Sequence, residues 1–427
     1  MFKIQPDNTV FVILSFEGPD IYSLAGGLGV RVTELGKCLA DIGFDTHLFF
    51  VGDPNKPFVE KFESDNFTIN RWCQQLSANA PTGVYENERY KVYDYERFLP
   101  QHLFDEVIKP AASSGKKIVI LGEEWHTAPA IINLHKIIKS NSLEKEVTIF
   151  WNANNTYFLD RINWRELCDA AVITTISRYM KHIMSSMGLN PLIIPNGIPA
   201  RALKKVDFFK SGKLRHIFKN KMLLVKVGRY DPNKRWIMAI EALAEIKKRG
   251  KDAVLVMRGG KELHRYDILK KAESLNLKVR TLEIEKPNFE NMCMAFSESL
   301  SFDILELNFF LPEEILRLFY HCADAVLANS GHEPFGLVGL EVMATEGIAL
   351  TGATGEDYAE SFENSIVIET SNPKEIAVYL LDLLNDPKMK DKIHKNAYKT
   401  AQMYTWESVT DKLFKKLEFV MTSGIKG

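Results

Sequence analysis

Short continuous apolar runs alternate with segments of helical periodicity along this chain. Val10–Leu14, Lys117–Leu121, Val147–Trp151, Met222–Val227, Ala253–Met257 and Ala325–Ala328 each read as a strand buried on both faces. Between them, Val32, Leu35, Leu39 and Ile42, and later Ile237, Ile240, Leu243 and Ile246, recur at helical spacing. Gly43 and Gly250 stand where those helices should stop. Thr46–Val51, Ala171–Thr174 and Leu192–Ile194 add further strands, and 373–385 and 387–403 read as helices. Strands alternating with helices predict parallel sheets. At 427 residues, two cores are expected rather than one. The polar, lysine-rich stretch 200–220 reads as the linker between them. Residues 52–116 read as helices and loops, and 261–310 as a local insertion with helices.

The clearest unit is 322–350. The strand Ala325–Ala328 runs into the turn Asn329-Ser330-Gly331, and a helix is expected to begin near Pro334, since proline suits a first helical turn. Glu346-Gly347 should close that helix before the apolar run Ile348-Ala349-Leu350. Glu333 and Glu341 frame it, eight positions or about two helical turns apart. First-turn N–H groups, here expected at Phe335, Gly336 and Leu337, favour an anion. An anion on those donors with a carboxylate on either side suits a phosphorylated sugar. A helix start stabilised by Glu333, with Glu341 merely solvated, has the same spacing.

The other candidates also follow strands. Gly26-Gly27-Leu28-Gly29 opens a helix, which brings backbone near a ligand or simply makes a tight turn. His126 follows Lys117–Leu121, placed for ligand contact or for a core role. Asn152, Asn154 and Asn155 offer amides for sugar hydroxyls, or form a turn. Arg229 and Lys234 could neutralise a pyrophosphate, or be solvated surface cations.

Several of these strings resemble one family. E-P-F-G-L-V-G-L-E at 333–341 closely resembles the donor-site motif of retaining GT-B glycosyltransferases of the glycogen-synthase-like class (family 4 type), two glutamates separated by seven residues. G-G-L-G at 26–29, E-W-H-T-A at 124–128, I-P-N-G-I at 194–198 and G-R-x-D-P-x-K-R at 228–235 resemble its other segments, so the resemblance covers nearly the whole chain. Four departures stand out: Leu24 where glycogen and starch synthases carry lysine, Glu124 for aspartate, Asn152, Asn154 and Asn155 where related enzymes usually have a histidine-containing segment, and Arg235 for glycine. The first speaks against ADP-glucose with a glucan acceptor.

The resemblance implies two tandem doubly wound, Rossmann-like domains facing across a cleft. They would span 1–200 on the acceptor side and 201–403 on the donor side, with a last helix over 404–427 packing back on the first. It implies that Glu333 and His126 contact the transferred sugar and Glu341 the ribose. Arg229, Lys234, Phe335, Gly336 and Leu337 would hold phosphate, and Gly26, Gly27 and Gly29 would face it. It also implies front-face transfer from a nucleotide-diphosphate sugar to a carbohydrate or glycoconjugate acceptor. A phosphorylase, a sugar-nucleotide hydrolase and a non-catalytic nucleotide-sugar-binding protein are the alternatives.

Composition narrows the partners. A formal net charge of −1 argues against nucleic acid. No Asp-x-Asp segment stands at a strand end, so neither metal nor other cofactor is expected. Five scattered cysteines (Cys38, Cys73, Cys168, Cys293, Cys322) and no signal-like start read as a cytoplasmic protein with reduced thiols. Peripheral membrane contact needs only one basic or amphipathic patch, so it stays open.

Overall fold

A computed structural model describes residues 3–424. They divide into two compact units, one running to Gly197 and resuming at Trp406, the other Ile198–Thr405. The first holds β1 (Thr9–Leu14), β2 (Asp45–Val51), β3 (Val59–Lys61), β4 (Phe67–Trp72), β5 (Lys117–Glu123), β6 (Val147–Ala153), β7 (Val172–Thr175) and β8 (Leu192–Ile193). Their order is β3-β4-β2-β1-β5-β6-β7-β8, parallel except for the edge pair β3–β4. The second holds β9 (Met222–Val227), β10 (Ala253–Arg258), β11 (Val279–Leu282), β12 (Ile304–Leu307), β13 (Ala325–Ala328), β14 (Ala349–Thr351) and β15 (Ile366–Val367). Their order is β11-β12-β10-β9-β13-β14-β15, and the pairs are parallel.

Each sheet reverses its strand order beside its first strand, between β1 and β5 and between β9 and β13. Open α/β sheets bind ligands at the carboxyl ends of strands flanking such a reversal. Apolar strand residues explain both sheets. Phe11, Ile13, Leu48 and Val119 anchor a core that the helix Trp406–Ser423 completes with Trp406, Val409, Leu413 and Leu417. In the second unit, Leu224, Leu255 and Leu327 face one side of the sheet while Val225, Val256 and Val326 face the other.

Three expectations need correction. The lysine-rich stretch 200–220 is no open linker: it holds the helix Phe208–Ile217, whose Leu214 is buried with Phe218 against the second sheet. Residues 261–310 are no insertion but carry β11 and β12 with their helices. Residues 52–116 contain β3 and β4 as well as helices. Two of the missed strands, β4 and β12, carry paired charges inside. Arg71 on β4 is buried against Asp20 at 2.8 Å, and Glu306 on β12 against Arg265 at 2.6 Å. Such a pairing lets a polar residue sit in a strand core.

Candidate functional site

The crevice between β9 and β13 brings the second unit's candidates together. After β9 the chain turns at Gly228, and Arg229 is exposed, its carbonyl accepting from Trp236 Nε1 at 2.8 Å. Asp231 accepts from the Asn233 N–H at 2.8 Å and caps the short helix Pro232–Lys234. Arg235 then takes a left-handed backbone (φ 50°) before the helix Trp236–Lys248. That conformation accounts for glycine being the expected residue there.

After β13, the Gly331 N–H donates to the Asn233 carbonyl at 2.7 Å, tying the two loops together. Glu333 is half-buried, and its carboxylate pairs with the Lys234 ammonium. Its backbone N–H donates to Thr354 Oγ1 at 3.0 Å. The helix starts at Leu337, later than expected near Pro334, so Phe335 and Gly336 precede its first turn. Phe335 turns inward among buried residues, and Gly336 is left-handed (φ 74°). A Cβ on Gly336 would also lie 2.8 Å from the Glu356 side chain. At the far end the left-handed residue is Glu346, not Gly347. Glycine is required at 347 for another reason, since a Cβ there would lie 2.2 Å from the Tyr320 carbonyl oxygen. Glu341, on this helix, accepts from Tyr320 Oη at 3.5 Å, and burial pushes its pKa up to about 6.

Two groups here were not anticipated. Glu356 is buried, accepting from the Thr354 N–H at 3.3 Å through Oε2, while Oε1 is buried without a hydrogen-bond partner. Burial first, and the Glu333 charge second, push its pKa up to about 8. Lys226 on β9 is buried, its ammonium donating to Leu327 O at 2.8 Å and Asn329 Oδ1 at 2.6 Å. Burial, with Lys234 next, holds its pKa well below the usual lysine range. A lysine interrupting the apolar run M-L-L-V-K-V was the available signal for it.

In the first unit, the crevice between β1 and β5 is lined by acids. Glu17, just past β1, accepts through Oε2 from the Gly26 N–H at 2.9 Å and the Gly29 N–H at 3.1 Å. Tyr85 Oη donates to its other oxygen. The donors expected to face phosphate at Gly26 and Gly29 are therefore filled by the chain's own carboxylate, which satisfies the helix start. Gly27 is the first residue of the helix Gly27–Ile42.

His126 lies after β5, its ring stacked between Phe16 at 4.2 Å and Trp125 at 4.0 Å. Its Nε2 meets Glu88 Oε1 at 2.8 Å, and its Nδ1 is buried without a partner. Burial lowers its pKa, against the opposing pull of Glu88. Asn152 uses both amide hydrogens inside the protein, on Glu123 at 2.9 Å and Asn154 Oδ1 at 3.1 Å. Asn154 likewise donates to Glu123 at 2.7 Å. These amides orient Glu123, which pairs with Arg31 at 3.1 Å. Asn155 accepts from the Tyr157 N–H at 2.7 Å, in a turn. Glu124, buried and left-handed (φ 68°), has its pKa pushed up to about 8 by burial.

Among the described residues no group of three or more His, Cys, Asp or Glu could hold a metal ion. Nor, among them, is any helix long and apolar enough to cross a membrane.

Comparison with known proteins places these observations. The family described as "Glycosyl transferases group 1" matches residues 297–400. The D-inositol 3-phosphate glycosyltransferase of Thermomonospora curvata is 26% identical over 104 residues, 24% of this chain and 24% of that protein's own length. The putative glycosyltransferase YtcC of Bacillus subtilis is 21% identical over 317 residues, 69% of this chain and 71% of that one. Among solved structures, sucrose-phosphate synthase from Thermosynechococcus elongatus aligns with a TM-score of 0.68 at 17% identity, over 97% of this chain and 100% of that one. The fold is therefore GT-B, and the segment carrying Glu333 and Glu341 matches the group 1 glycosyltransferases.

Proposed function

We propose that the protein is a retaining glycosyltransferase that moves a sugar from a nucleotide-diphosphate sugar to an acceptor hydroxyl without a metal ion. The observation that carries this reading is the Lys234–Glu333 pair at the strand-order reversal of the second sheet, with Arg229 beside it in sequence. The ammonium and carboxylate satisfy each other. A diphosphate would take Lys234 as its counter-ion and release Glu333 to accept from a sugar hydroxyl. Glu341, on the helix that follows Glu333, would accept from the ribose.

In the reaction the acceptor oxygen bonds to the anomeric carbon as the bond to the diphosphate oxygen breaks. The acceptor proton passes to that leaving oxygen on the same face, so configuration is retained. Charge grows on the diphosphate, where Arg229 and Lys234 oppose it. That is the role a divalent cation has in other transferases.

The alternatives predict different products. A phosphorylase would need inorganic phosphate and no nucleotide, and a binding protein would turn nothing over. The test is a panel of UDP-, GDP- and ADP-sugars, first for binding and then for transfer, with product configuration read by NMR and EDTA in parallel. Retained configuration with EDTA-resistant turnover is expected. An inverted product, failure of every nucleotide to bind, or activity restored only by added Mg²⁺ would refute this reading.

A further inference from the structure

The helix Phe208–Ile217 carries two features that its role in the core does not use. Leu214 faces the sheet, yet Phe208 and Phe209 at its start are 79% and 86% exposed. Cations surround them in sequence. Between Lys204 and Asn220 stand five lysines and Arg215 against a single acid, Asp207, in a chain whose net charge is −1. Lys204, Lys205 and Lys219 are exposed, whereas Lys210 and Lys213 are paired with Glu314 and Glu290.

Beside the rings lies a cavity of about 280 Å³, lined by Phe208, Arg215, His321, Asp324, Lys390 and His394 among others. Asp324 is its acid, already engaged by the Leu223 N–H at 2.8 Å, Arg215 at 3.0 Å and Lys390 at 3.7 Å. Asp324 immediately precedes β13, so the cavity lies at the amino ends of the strands, opposite the end that carries Glu333.

We propose that this face docks on an anionic phospholipid surface, with Phe208 and Phe209 entering the interface and a lipid phosphate occupying the adjacent basic cavity. Water-exposed aromatic rings gain by insertion at the headgroup level, and each nearby cation adds attraction to an anionic leaflet. A protein partner fits less well. The rest of that helix face is Gly212, Lys213 and His216, all exposed, which adds no apolar area for a protein core to cover.

The test is co-sedimentation of the full chain with vesicles of phosphatidylcholine alone and of phosphatidylcholine mixed with phosphatidylglycerol. Wild type should pellet with the mixed vesicles only, and less at high salt. The double substitution Phe208→Ser, Phe209→Ser, made at exposed positions and checked by circular dichroism, should weaken binding by about tenfold or more. Lys390→Gln should weaken it by a smaller factor. Wild type left in the supernatant with both vesicle types would overturn the proposal, as would equal pelleting of wild type and the double variant. Binding of free glycerol phosphate by a protein that ignores the vesicles would assign the cavity to a soluble ligand and also overturn the docking.

Discussion

The two sheets offer the same crevice with different charge, mostly acids in the first and acids mixed with cations in the second. Between β1 and β5 acids predominate, Glu17, Glu88, Glu123 and Glu124, with Arg31 paired to Glu123, around the ring of His126. Between β9 and β13 cations join acids: Arg229, Lys234 and Arg235 on the loop after β9 stand with Glu333, Glu341 and Glu356. Topology makes the crevice in both, but charge decides what it can take. An acid-lined crevice accepts from hydroxyls and repels phosphate, whereas one that adds cations can take both. The glycine turn of the first unit illustrates this: its N–H groups point at an anion, and that anion is Glu17.

The comparison breaks most readily at Lys234. On the proposed function, Lys234→Ala should lower kcat by about a hundredfold or more, because it opposes charge that exists only as the bond breaks. Donor binding should weaken less, and steady-state kinetics separate the two. Equal rates would leave the charge contrast without catalytic meaning.

Next in size is a property the two crevices share, a buried carboxyl raised to about 8, Glu124 in the first and Glu356 in the second. The folded state keeps a proton that the unfolded chain releases above the ordinary 4.5. Stability present at low pH is therefore lost as pH rises from 4.5 toward 8. Glu356→Gln cannot lose it, so the variant should gain on wild type by something on the order of a few kcal/mol between about pH 5 and about pH 8. Glu124→Gln should behave alike. Denaturant midpoints across that range measure it, and a pH-independent difference would mean these carboxyls are already ionised.

A smaller effect sharpens the contrast in the first unit. Glu17→Ala removes the acceptor of Gly26, Gly29 and Tyr85 and should cost about 1–2 kcal/mol. It also opens the helix start to external anions, so sulfate should raise the melting temperature of the variant more than that of wild type. If sulfate acts equally on both, Glu17 is not what keeps anions away. The smallest effect belongs to Arg235. Arg235→Gly relieves its left-handed backbone and should stabilise by roughly 0.5–1 kcal/mol, less the exposed bond from Arg235 Nη1 to Thr370 O. A loss of stability would show that this side chain matters more than its backbone.

Legibility in the sequence followed the locality of each cause. β1, β5, β9 and β13 were readable because both faces of a parallel strand are apolar, which leaves an unbroken run. β4 and β12 were not, because Arg71 and Glu306 are neutralised by partners distant in sequence, Asp20 and Arg265. Lys234 and Glu333 could be named from their motifs, but their pairing is a tertiary fact spanning 99 residues. Glu17 and Glu356 lie in loops where a carboxylate is unremarkable, and only folding sets them against Gly26 and Gly336. The helix start moved from Pro334 to Leu337 because Phe335 is drawn into the core, a tertiary demand that outweighs proline's local preference.

The helix Trp406–Ser423 completes the core of the first unit, although the whole of Ile198–Thr405 precedes it in the chain. On a ribosome this means the first unit emerges early and waits, its apolar face uncovered, while the second is translated. At ordinary elongation rates that interval is on the order of ten to forty seconds, ample time for the second unit to fold first. The order of completion then runs against the order of synthesis. A chaperone, if one is needed in the cell, should find its target in the strands nearest the amino terminus, and a chain shortened before Trp406 should stay bound to it.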